Sequence, residues 1–95
     1  SDRLSRIQVQ LMGSSIYRNE HLVLLRLLRQ YRTESGMTQG EFAKALNRPQ
    51  SFVSDMERGS RRLDLVQLRD ICEVFNISLL DFITRFEAEL VALEQ

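Results

Sequence analysis

The sequence predicts an all-α fold of five short helices. Three observations carry it: apolar residues return at spacings of three and four in five successive segments, the one proline is Pro49, and helix-starting and helix-ending residues punctuate the gaps. At 95 residues, 43% hydrophobic and 27% charged, the chain suits one small core and leaves little room for a deep catalytic cleft.

The first helix is organised by Leu22, Leu25, Leu28 and Arg32, and Gly36 closes it. Thr38 then caps the second, with Glu41 three positions on completing a capping box, and Phe42, Ala43 and Leu46 turn inward. After only Asn47, Arg48 and Pro49 a third helix begins, which buries Phe52, Val53 and Met56 and ends at Gly59. A fourth, Leu65 to Phe75, buries Leu65, Leu68, Ile71, Cys72 and Phe75; Ser78 caps the fifth. On that last helix Leu79, Ile83, Phe86, Leu90 and Leu93 keep a four-three-four-three spacing, a seam longer than a small core needs. A partner chain is the expected cover, the alternative being that Leu90 and Leu93 fold back on the first helix. Ile7, Val9 and Leu11 alternate with polar residues and read either as a short strand or as vector-derived sequence; Met12 is a candidate natural start.

The charge is zero in sum and uneven along the chain. Residues 26–62 carry eight Lys/Arg against four Asp/Glu, while residues 63–95 carry two against seven, so a basic centre abuts an acidic tail. The single cysteine excludes an internal disulfide, and no apolar run nears the roughly 18 residues of a membrane span. His21 has no Cys, Asp or Glu at ligand spacing and reads as a surface histidine. Tyr17 and Tyr31 show no pairing suited to base stacking, and no catalytic constellation is visible. No metal, cofactor or small-molecule ligand is expected.

Two helices joined by so tight a turn cross steeply, and the first braces the second so that its start projects, as entry into a B-DNA major groove about 12 Å wide requires. Here the chain resembles the lambda-repressor-like, or Xre, helix-turn-helix family over roughly Leu22 to Phe86. Gln39 opens helix 2, Ala43 is the small residue between the two helices, Val53 and Met56 are the hydrophobic pair of helix 3, Glu57-Arg58-Gly59 is its ending, and "NISLLDF" follows where the family often has "gvsldel". Asn47 departs from the family's usual turn Gly but is the next best residue for a left-handed backbone. Arg48 and Pro49 replace a commonly apolar residue and a capping Ser.

The resemblance implies a five-helix DNA-binding domain at 20–86; residues 1–19 are then an N-terminal extension, partly vector-derived or a short strand, and the heptad spacing makes 87–95 a dimerising helix extension. The resemblance implies base reading by Gln50, Ser51 and Asp55 with Ser54 at the groove edge, and phosphate binding by Lys44, Arg48, Arg58, Arg61 and Arg62 with backbone N–H groups of Thr38 and Gln39. It also pairs Arg32 with Glu57, where the alternative is an exposed Arg32 reaching water. Leu79, Ile83, Phe86, Leu90 and Leu93 would form the dimer seam. The expected function is sequence-specific repression from a palindromic operator, as a homodimer on double-stranded DNA in a prokaryotic or phage-infected cytoplasm. The competing expectation is an interaction module or antitoxin-like protein that binds a protein partner through the same fold.

Overall fold

In the computed structural model, residues 18–94 are described, and they form five helices: α1 Asn19–Glu34, α2 Gln39–Ala45, α3 Gln50–Arg58, α4 Leu65–Val74 and α5 Leu79–Glu94. The Ile7, Val9 and Leu11 segment and Tyr17 lie outside the described residues.

Local chemistry ends and restarts the chain where expected. Gly36, at φ 75°, turns it out of α1, and the Met37 N–H closes on the Arg32 carbonyl at 3.2 Å. The Thr38 capping box is present: the Thr38 hydroxyl accepts from the Glu41 N–H at 3.1 Å while the Thr38 N–H donates to Glu41 Oε1 at 2.8 Å. Asn47 takes the left-handed conformation at φ 58°, so the tight turn survives without glycine. Pro49, at φ −65°, supplies the geometry of a helix start but no side-chain cap. Gly59 closes α3 at φ 83°. Two further devices shape the second half: Asp64 and Gln67 form a second capping box on α4, and Asn76 repeats the left-handed turn at φ 61°. Ser78 caps α5, its hydroxyl accepting from the Asp81 N–H at 3.0 Å.

The core draws on every helix: Val23, Leu27 and Leu28 from α1, Phe42 and Ala43 from α2, Phe52, Val53 and Met56 from α3, Ile71 and Cys72 from α4, and Phe82 from α5, with Phe75 just after α4. Phe75 anchors an aromatic cluster, stacked on Phe42 at 5.0 Å and on Tyr31 at 5.4 Å between centroids. α3 packs on both α1 and α2, and α5 packs on α1 and α4.

Three expectations about burial are corrected. On α1 the inward face runs through Val23, Leu27, Leu28 and Arg32, about one residue round from Leu22, which is 45% exposed. Leu65 opens α4 on the solvent side of the first turn, 63% exposed. On α5 the expected seam splits, because the buried residue is Phe82: Leu79, Phe86 and Leu90 pack partly against the chain's own core, whereas Ile83 and Leu93 stay exposed together with Leu80 and Val91.

Candidate nucleic-acid interface

The placement of α3 begins with its buried side. Phe52, Val53 and Met56 face the core, which leaves Gln50 and Ser51 exposed at the start of the helix and Ser54 and Asp55 half-buried one turn on. The far end is fastened by Glu57. Arg32 donates to it twice, Nε to Oε2 at 2.6 Å and Nη2 to Oε1 at 3.1 Å, and Arg32 Nη1 donates to the Met37 carbonyl at 2.8 Å. Gln39 Nε2 adds a third donor to Glu57 at 3.0 Å. The expected Arg32–Glu57 pair is therefore formed, and its side chains are only 10% and 5% exposed. A planar guanidinium matches a carboxylate in this forked geometry, so the end of α3 is fixed to α1 and to the start of α2 at once.

Some expected phosphate contacts are spoken for within the chain. The Thr38 N–H, expected to be free, goes to Glu41, and the Gln39 side chain goes to Glu57; the N–H groups of Gln39 and Gly40 keep no partner among the described residues. Gly40 lies against Gln50: a Cβ there would sit 3.7 Å from Gln50 Oε1. Gly40, Lys44, Arg48 and Gln50 line one open notch between α2 and the turn.

The acidic residue on the outer face of α3 is also occupied. Arg58 reaches back along the helix, Nη1 donating to Ser54 Oγ at 3.0 Å and Nη2 pairing with Asp55 Oδ1. Asp55, expected to stand as a bare acceptor, is thus partly neutralised by a residue expected to serve phosphate. Spacings of three and four put Asp55, Ser54 and Arg58 on one helix face, a signal legible in the sequence.

Among the described residues, Arg18, Arg26, Arg32, Arg58 and Arg69 each pair with a carboxylate, whereas Arg29 on α1, Arg85 on α5, and Lys44, Arg48, Arg61 and Arg62 make no ion pair. Arg48 and Arg61 instead lie over the Phe52 ring, their guanidinium carbons 5.1 and 4.8 Å from its centroid. Arg62 stands apart from that pair, lining a groove with Arg18, Glu20, His21, Leu24 and Phe86. No group of three or more His, Cys, Asp or Glu among the described residues could hold a metal, and no described helix is long and apolar enough to cross a membrane.

A family model described as helix-turn-helix matches residues 28–82, the span from the middle of α1 to the first turn of α5. The chain belongs to the lambda-repressor-like, or Xre, family of helix-turn-helix DNA-binding regulators. It is 40% identical over 53 residues to YazB, a helix-turn-helix-type transcriptional regulator of Bacillus subtilis, an alignment covering 56% of this chain and 77% of that one. Its fold is similar to that of an Xre-family-like protein from Pseudomonas syringae pv. tomato, at a TM-score of 0.69 and 38% identity over 74% of this chain and 85% of the other. It is also similar to a restriction-modification controller protein, at 0.71 and 27%, covering 78% and 94%. The matched span holds the whole α2-turn-α3 unit, so the Xre resemblance and the geometry of α3 concern the same residues.

Proposed function

We propose that the chain is a repressor that occupies a palindromic operator as a homodimer. Gln50 and Ser51 read base edges from the start of α3, Gln50 through the paired donor and acceptor that suit adenine, with Ser54 and Asp55 at the groove edge. Lys44, Arg48, Arg61 and Arg62 hold phosphates, joined by Arg58 when it exchanges Asp55 for the backbone, and by the Gln39 N–H at the start of α2.

The observation that carries this reading is the set of cations without acids around α3. Elsewhere in the described chain Arg18, Arg26, Arg32 and Arg69 pair with carboxylates while Arg29 and Arg85 do not, whereas none of Lys44, Arg48, Arg61 and Arg62 has an acid partner. A polyanion supplies the missing charge, and counterions released from it drive association. One helix reads too few base pairs for a genome, and a two-fold pair of reading helices doubles the readout. The exposed Leu80, Ile83, Val91 and Leu93 of α5 offer the apolar surface for that axis. The setting is the cytoplasm of a prokaryote, on chromosomal or phage DNA.

The test is selection from a pool of random duplexes, followed by a salt titration on the selected sequence. Enrichment of an inverted repeat with half-sites about 10 base pairs apart, bound with affinity that falls steeply in salt, is the expected result. A single unrepeated site would overturn the dimer, and no salt-dependent binding to any duplex would leave the protein-binding reading of the fold.

A further inference from the structure

We propose that Phe52 is a positioning residue for DNA binding, whose ring holds Arg48 and Arg61 as a preset pair of phosphate contacts flanking the reading helix. The proposal rests on the DNA-binding reading above.

Arg48 precedes α3 and Arg61 follows it, yet both guanidinium carbons lie within about 5 Å of one ring centroid, which puts the two charges no more than about 10 Å apart. Like charges at that spacing in water repel within a Debye length. No carboxylate gathers them: neither arginine makes an ion pair among the described residues, and Asp70, which lines the groove beside Arg48 and Phe52, makes none with either. The shared partner is the aromatic ring, whose negative π cloud attracts a guanidinium. That ring is firmly seated, because Phe52 is 6% exposed and belongs to the core.

The geometry has a cost and a use. Each arginine gives up rotamer freedom to lie on the ring, and each keeps its outward N–H groups unspent. Ordering completed before association is not charged again when phosphate arrives, so a preset pair binds tighter than two free arginines of equal charge. Electrostatics alone predicts a role for Arg48 and Arg61; the contribution of Phe52 is to make them act together.

The experiment is a mutant cycle on the full chain, read as affinity for a random-sequence duplex over a range of salt. Phe52→Leu should weaken binding about three- to tenfold at fixed salt, the scale of one or two cation–π contacts, and leave the salt dependence unchanged because every cation remains. Phe52→Tyr, which keeps the ring, should bind like the parent. In the Arg48→Ala/Arg61→Ala background, Phe52→Leu should cost nothing further. An equal loss in both backgrounds makes Phe52 a packing residue only and overturns the proposal. If Phe52→Leu melts too low to assay, ring-current shifts on the Arg48 and Arg61 side-chain protons of the unsubstituted protein decide, and their absence overturns it too. Failure of the unsubstituted chain to bind any duplex is a separate result, which removes the DNA-binding reading itself.

Discussion

The guanidinium of Arg32 grips the carboxylate of Glu57 with two hydrogen bonds, at 2.6 and 3.1 Å, across 25 positions of sequence and almost out of reach of solvent. The direction of α3 is therefore set from inside the domain. Removing one partner leaves a nearly buried charge alone, so Arg32→Ala should lower stability by about 3–5 kcal/mol. Arg32→Lys should not restore it, since an ammonium cannot reproduce the fork or reach Met37 at the same time. Denaturant melts measure both, and a parental midpoint for Arg32→Ala would refute the role.

The base-reading assignment is tested by comparing substrates. Gln50→Ala should cost about 1–3 kcal/mol on the selected operator and little on random duplex, whereas Arg61→Ala should weaken both alike. Fluorescence anisotropy on the two duplexes reads the difference, and equal losses from Gln50→Ala would remove Gln50 from the reading face.

Asp55 and Arg58 should show the opposite sign. With Asp55→Ala, Arg58 is released toward phosphate, so affinity for random duplex should rise and the salt slope steepen by about one contact. The pair is half-exposed and should contribute little to folding, so the melting midpoint should barely move. A fall in nonspecific affinity would show instead that Asp55 positions Arg58 for its phosphate.

For assembly, the substitutions of choice are Ile83→Asp with Val91→Asp, because both residues are exposed while Leu90 packs partly on the core. Sedimentation should give a folded monomer with half-site affinity near that of the parent and much weaker binding to the palindrome. Deleting residues 87–95 is the poorer test, since it also removes Leu90 and the 3.2 Å Arg26–Glu89 link between α1 and α5. A persisting dimer would move the interface off α5.

Acid should loosen the start of α2 through Glu41. The Thr38 backbone N–H, and then its hydroxyl, hold the Glu41 carboxyl below the ordinary carboxylate value. A lowered folded-state pKa stabilises above the unfolded-state value, and that stabilisation disappears as pH falls through the folded one. An NMR titration should place the Glu41 midpoint low, and Thr38→Ala, which removes the hydroxyl but keeps the backbone N–H, should raise it only part of the way.

Where a residue's chemistry is tied to one geometry, the sequence was informative. Gly36, Asn47 and Gly59 do occupy left-handed turns, Thr38 with Glu41 does form its box, and a charge on the inward stripe of α1 does find an acid. Where many residues compete for one face, it was not. The run from Leu22 to Leu28 has apolar residues in several helical phases, and packing against α3 and α5 selects the one through Val23 and Leu27. On α5, Leu79, Phe86 and Leu90 are shared by two interleaved stripes, and the aromatic cluster around Tyr31 draws in Phe82 in place of Ile83. Within the site, the Thr38–Glu41 box and the i,i+3 pairing of Asp55 with Arg58 follow from local spacing, whereas the bond of Gln39 to Glu57 spans 18 positions and depends on how α2 packs against α3, which spacing alone does not specify.

Cys72 is the chain's one thiol, and it sits 1% exposed on α4 with burial pushing its pKa up. A thiol reagent can therefore reach it only when the core opens, so the labelling rate of the unaltered protein is a direct clock of that opening, with no probe to be installed. The same silence makes every introduced surface cysteine uniquely addressable. A fluorophore at Ser60, beside the end of α3, reports DNA arrival while Cys72 reports the integrity of the core, two signals from one sample.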